Sequence, residues 1–146
     1  MISIDELQFM MGEDAKIDTA ELGKESTRIP QLHSKYLNLL MDLKPELRKA
    51  TRNIRAIRCL KFQYYTGKMS IEELAKYKWE PFQFKILKSD LDMYIDADTD
   101  IQLAQKYIDE LEVRIEMLED FIKALNNRNF MIKNHIEWHK FTNGIS

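Results

Sequence analysis

An all-α fold built from long helices is predicted by three observations. Gly and Pro are scarce, four and three residues among 146, while 32% of the chain is charged. Apolar residues recur at heptad spacing through the second half of the chain. Helix-start signatures punctuate it, and no segment shows strand-like alternation or an internal repeat. The expected architecture is a helical hairpin or coiled-coil core with a C-terminal helix, in a single domain over residues 1–146.

The elements follow in order. Ser3-x-x-Glu6, Asp18-x-x-Glu21 and Ser70-x-x-Glu73 resemble capping boxes, in which the first side chain accepts an orphan backbone N–H and the acid reaches back. They predict an N-terminal helix within 1–16, ended near Gly12, and a long helical region over 18–66 ended by Gly67. Pro30 and Pro45 lie inside that region and predict kinks or breaks, since each removes a backbone donor. Residues 67–80 form a connector with a short helix at about 70–78. Pro81 suits the first turn of a long helix over 81–126. In it Leu87, Tyr94, Ala97, Ile101, Ala104, Ile108, Leu111, Ile115, Leu118, Ile122 and Leu125 make a seam broken only at Asp90. Such a helix runs roughly 70 Å, too long to bury its seam within a compact monomer of this size. Asn126-Asn127 punctuates the chain before a C-terminal helix over 128–142. The expectation is a homo-oligomer larger than a dimer. Its candidate contacts are Ile101, Ile108, Leu111, Ile115, Leu118, Ile122 and Leu125 on the seam, then Phe130, Ile132, Ile136, Trp138 and Phe141.

Charge is unevenly spread. The chain carries net charge -2, yet Lys44 to Lys68 holds eight Lys or Arg and one acid, Glu46. On a helix, Lys44, Arg48, Arg52, Arg55 and Arg58 share about a third of the circumference. Leu43, Leu47, Ala50, Ile54, Ile57, Leu60 and Tyr64 gather opposite them. Arginine suits phosphate, because its planar fork offers two donors per contact. Phe62 falls within the basic face, where a ring can stack on a base. The competing reading is internal pairing: residues 90–120 hold eleven acids against Lys106 and Arg114. Seam-to-seam packing, however, leaves Glu110, Glu112, Glu116 and Asp120 off the contact. A third reading, a basic amphipathic helix on anionic membrane, wastes an apolar face better used in a core.

Other motifs fail at required positions. Asp96 to Asp100 begins like a calcium loop, but Ile101 stands where the turn glycine belongs and Tyr107 where the bidentate Glu belongs. His135 and His139 share a helix face, but Ile136 follows the first His and no third ligand is evident. Cys59 lies among arginines without a positioned base. There is no phosphate-binding Gly loop. No catalytic, metal or cofactor residue is expected, and nothing reads as an enzyme. A single cysteine, acids at Asp5 and Glu6 in place of a basic leader, and no apolar run of ~20 residues predict a protein of a reducing cytosol with no membrane segment.

The order of several segments carries a resemblance. "IDTAEL" and "HSKYLNLL" precede a basic helix closing on Tyr64-Tyr65-Thr66-Gly67-Lys68; "KYKWEPF", "SDLDMYIDADTDIQL" and "NNRNFMIKNHIEWHKF" follow. This series, with Arg128, Ile132-Lys133 and Trp138 near its end, resembles the UvsY family of phage recombination mediators over nearly the whole chain. The resemblance implies a non-enzymatic, all-helical protein in the host bacterial cytoplasm. It implies a homo-oligomeric ring, with a heptamer as the candidate assembly, that binds single-stranded DNA. It further implies partnership with a RecA-like recombinase, loaded onto DNA covered by single-strand binding protein. The family's DNA contacts lie on the basic helix before the paired tyrosines, and Lys61 matches a basic position there. Cys59 falls where a family member carries Lys, with Arg58 beside it to take over. The candidate DNA-binding set is therefore Lys44, Arg48, Arg52, Arg55, Arg58, Lys61, Phe62 and Lys68. A coiled-coil adaptor that binds no DNA is the alternative.

Overall fold

The computed structural model describes residues 1–144. Helix α1 spans Ile4–Ala15, α2 Leu22–Tyr65, α3 Ile71–Tyr77, α4 Leu91–Asp96 and α5 Thr99–Thr142, with a 3-10 turn at Lys88–Asp90. Among the described residues there is no strand. The chain divides into two compact units, one of Met1–Pro45 with the chain from Leu111 onward, the other of Glu46–Glu110.

Local signals explain most ends. Ser3 and Glu6 form the full reciprocal capping box of α1. Ser70 caps α3 by accepting the Glu73 N–H. Gly67 closes α2 at φ +71°, where its own N–H reaches the Tyr64 carbonyl and the Lys68 N–H reaches that of Gln63. That is the paired bonding of a Schellman ending, and the left-handed backbone is open to glycine without a Cβ penalty.

Several boundaries differ from expectation. α1 runs through Gly12 to Ala15. Asp18 makes a turn, accepting the Ala20 N–H, and α2 starts at Leu22. Pro30 and Pro45 do not break α2, which is one 44-residue helix. The carbonyls they strand belong to Ser26 and Met41, both on the exposed face, where water can satisfy them. Pro81 does not open a helix: residues 81–87 are irregular, and the long helix begins at Thr99. Phe82 instead packs its ring against Tyr64, Tyr65 and Tyr94. Asn126-Asn127 does not end a helix either, because α5 continues through it to Thr142, and the described residues hold no separate C-terminal helix.

In the first unit, α2 buries Ile29, Leu32, Tyr36, Leu40 and Leu43 at spacings of three and four. α5 buries Leu111, Leu118, Leu125 and Ile132 at strict intervals of seven. Tyr36 meets Phe121 with centroids 4.5 Å apart, and Leu7 of α1 is fully buried. Buried side chains of this size stabilise by about 1.5–3 kcal/mol each. Arg128 of α5 donates to the last carbonyls of α1, at 3.1 Å to Asp14 and 2.8 Å to Ala15. A cation there also complements the helix dipole. In the second unit the core is Ala50 and Ile54 of α2, Leu91 and Ile95 of α4, and Ile101 and Ile108 of α5.

Candidate nucleic-acid interface

The second unit carries most of the basic stretch. Because Ala50 and Ile54 face inward, the residues on the back of α2 are forced outward. Arg48, Arg52 and Arg55, spaced four and three apart, are exposed there, and none has an ion-pair partner among the described residues. Phe62 is exposed beside them, with Lys68 Nζ 5.4 Å from its ring centroid. Arg58 is half-buried, its Nη1 2.8 Å from Asp96 Oδ1. Lys44 belongs to the first unit and lies 3.6 Å from Glu119. Internal pairing thus accounts for Lys44 and Arg58 and leaves the three central arginines free.

Lys61 is a correction. It is 4% exposed and cannot reach out along its stem to a strand of DNA. Its Nζ lies 2.8 Å from Asp100 and 3.2 Å from Asp98, and 3.7 Å from the centre of the Trp79 ring. Tyr65 donates to Asp98 at 2.6 Å, and Asp98 in turn accepts the N–H groups of Asp100 and Ile101 at the start of α5. Tyr64 donates to the Glu80 carbonyl at 2.6 Å. The paired tyrosines and Lys61 therefore pin the end of α2 to α5 and to the chain after α3. Asp98, Trp79 and Tyr65 escaped sequence reasoning as members of a site. The signal was present: Lys61 falls seven residues after Ile54, on the packing face, where a cation must find buried partners.

The electrostatics of this pin are directional. Burial raises the Asp98 pKa, but hydrogen bonds from Tyr65 and Lys61 and the Lys61 charge outweigh it and leave the carboxyl below its usual range. Burial first, then the hydrogen bond to Asp98, pushes the Tyr65 phenol well above its ordinary value. Tyr36 and Asp14 form the same arrangement in the first unit, with Lys35 as the cation. Below about pH 4 the unfolded carboxyls bind protons that the folded ones resist, so stability should fall as acid is added. Above about pH 10 the unfolded tyrosines release protons that the folded ones retain, so stability should fall again. Thermal denaturation from pH 3 to 11 checks both limbs, and Tyr65→Phe should shrink the alkaline loss.

The candidate oligomerisation residues separate into two groups. Ile101, Ile108, Leu111, Ile115, Leu118, Leu125 and Ile132 are buried within the single chain, and Ile122 is half-buried. The seam needs no second copy to cover it, which corrects the reasoning from helix length: α2 is as long as α5 and supplies the apolar surface. Phe130, Trp138 and Phe141 are exposed by 68, 65 and 77%, and Ile136 by 37%. These four near the end of α5 are the ones that remain available to a partner.

Among the described residues no group of His, Cys, Asp and Glu could hold a metal ion. His139 shares a hydrogen bond with Asn143. Cys59 is an exposed free thiol. No described helix is long and apolar enough to cross a membrane.

Long helices with an outward arginine row and an exposed ring have the chemistry of a helical polyanion-binding protein. The chain belongs to the UvsY family: the family model described as "Recombination, repair and ssDNA binding protein UvsY" matches residues 10–145. Its function is that of the family, recombination and repair through binding of single-stranded DNA. It is 23% identical to the recombination protein uvsY of Enterobacteria phage T4 over 134 residues, 92% of each chain. Its fold is similar to crystal structures of the bacteriophage T4 recombination mediator protein UvsY. One has a TM-score of 0.85 at 21% identity, covering 97% of this chain and 98% of that one. A second lattice type gives 0.82 at 22% identity, covering 94% and 98%.

Proposed function

We propose that the chain acts as a recombination mediator, a non-enzymatic homo-oligomeric ring with seven subunits as the candidate number. The ring holds single-stranded DNA in a conformation that a RecA-like recombinase prefers. It weakens the grip of single-strand binding protein on the same strand. One observation carries this reading: Arg48, Arg52 and Arg55 stand on one exposed face with no ion-pair partner among the described residues. Repeated around an oligomer, three contacts per subunit become an array, and a flexible strand gains from multivalency. The setting is the host bacterial cytoplasm.

The test is anisotropy of a labelled mixed-sequence oligonucleotide, titrated at several salt concentrations. Binding with little sequence preference and a strong inverse salt dependence supports the proposal. Absence of binding at 50 mM salt would leave the coiled-coil adaptor, for which the pairs Arg58–Asp96 and Lys44–Glu119 would be the whole purpose of the charges. Assembly is tested apart. Trp138→Ala with Phe141→Ala should reduce oligomer size in sedimentation while helix content by circular dichroism stays near the parent's. An unchanged oligomer would assign these rings another role.

A further inference from the structure

We infer that a groove between α2 and α5 in the second unit is a nucleobase subsite, with Tyr107 as its stacking wall. The inference rests on the single-stranded DNA binding proposed above and says where a base of that strand is held. The groove has a volume of about 550 Å³ and is walled by Lys49, Arg52, Asn53 and Tyr107, with Glu46 also lining it. Ala50 and Ala104 complete its lining. Larger side chains at those two positions would close it. Beyond Asn53 and Tyr107 the furrow continues past Ile57, Leu60 and Leu103 to Tyr77, Trp79 and the carboxylate of Asp100.

The distribution of chemistry selects the ligand. Tyr107 is 40% exposed, and among the described residues its ring has no aromatic partner and its hydroxyl no hydrogen bond. Lys49 and Arg52 are exposed on the α2 rim, and neither has an ion-pair partner among the described residues. Neither groove lining from α5, Ala104 or Tyr107, is a cation, and Glu46 adds a negative charge. A phosphate inside would meet cations from one side only, beside a carboxylate. An uncharged planar ring fits better, with its flanking phosphates on Lys49 and Arg52 and its face on Tyr107. The Asn53 amide makes no side-chain hydrogen bond among the described residues, and it offers both a donor and an acceptor to a base edge. Such a site takes any base. Arg52 belongs both to this rim and to the outward row, so a strand lying along the row passes the mouth of the groove.

The measurement compares a dT oligonucleotide with an abasic strand of the same length. The parent should bind dT more tightly. Tyr107→Ala should weaken dT binding roughly 5- to 150-fold, the worth of one stacked base, with the salt slope unchanged. Tyr107→Phe keeps the ring and should bind like the parent. Ala104→Leu fills the groove and should weaken binding as Tyr107→Ala does, with helix content intact. On the unaltered protein, crosslinks from a 5-iododeoxyuridine oligonucleotide should map to Tyr107. If Tyr107→Ala binds like the parent, or adducts form only elsewhere, while arginine variants lose affinity, the subsite is wrong and the proposed function stands. If the parent fails to bind dT at low salt, both fall.

Discussion

Lys61→Ala is expected to destabilise the second unit by about 3–5 kcal/mol, the cost of removing one partner of a buried ion pair. The reason is the company Lys61 keeps. Asp98 is 8% exposed at its side chain and would be left buried with a charge facing no cation. Asp100 is half exposed and can turn to water. The lysine also lies against Trp79, so its loss opens a void beneath that ring. Urea denaturation followed by circular dichroism measures the effect. Adding Asp98→Asn to Lys61→Met should recover part of the loss. The amide oxygen still caps α5, its NH2 stands where Oδ2 did and can donate to the Tyr65 hydroxyl, and the neutral group no longer needs a cation. DNA binding should suffer only as far as the variant unfolds. A Lys61→Ala protein with parental stability and a salt slope reduced by about 0.7 would instead place this lysine on the strand.

Changing Arg48, Arg52 and Arg55 together to Ala should produce the largest loss of DNA affinity. If each arginine meets one phosphate, the slope of log affinity against log salt should fall by about 2.1, at ~0.7 per contact on a single strand. Stability should change little, within about 0.5 kcal/mol per site, because none of the three has an ion-pair partner among the described residues and all are exposed. Adding Arg58→Ala should reduce the slope by less than another full contact, since Arg58 is already engaged by Asp96. Salt-dependent anisotropy checks both statements. An early-melting triple variant that binds like the parent would return the row to an internal electrostatic role.

The sequence showed the helical class and the arginine row, and it did so for the same reason. Both depend on spacing along one helix, and Arg48, Arg52 and Arg55 need no knowledge of the other elements to be placed outward. Lys61 was misplaced because its fate depends on Asp98, Asp100 and Trp79, which arrive from elsewhere in the chain. The start of α5 was misplaced for a related reason. Tyr94 and Ala97 continue the heptad spacing, yet both are exposed, and Leu91 and Ile95 are buried in their stead. Asp98 interrupts the helix there by capping the next one, a local contest that periodicity does not register. The prolines leave α2 unbroken because the buried Ile29, Leu32, Leu40 and Leu43 around them offset a cost of ~3 kcal/mol each. Tyr107 could not be singled out, since an aromatic residue beside a seam looks the same whether a groove opens next to it or not.

The hydrogen bonds from Arg128 to the end of α1 have a kinetic meaning. They join residues 114 and 113 positions apart, so forming them closes a loop of most of the chain. The Tyr65–Asp98 bond closes a loop of only 33. Loop entropy alone makes the first closure costlier by about 1 kcal/mol. Helix α1 is also tied at nearer range, since Asp14 bonds Lys35 and Tyr36 only 21 and 22 positions on. The Arg128 closure is therefore the step that topology delays, after the Asp14 bonds have seated α1 against α2.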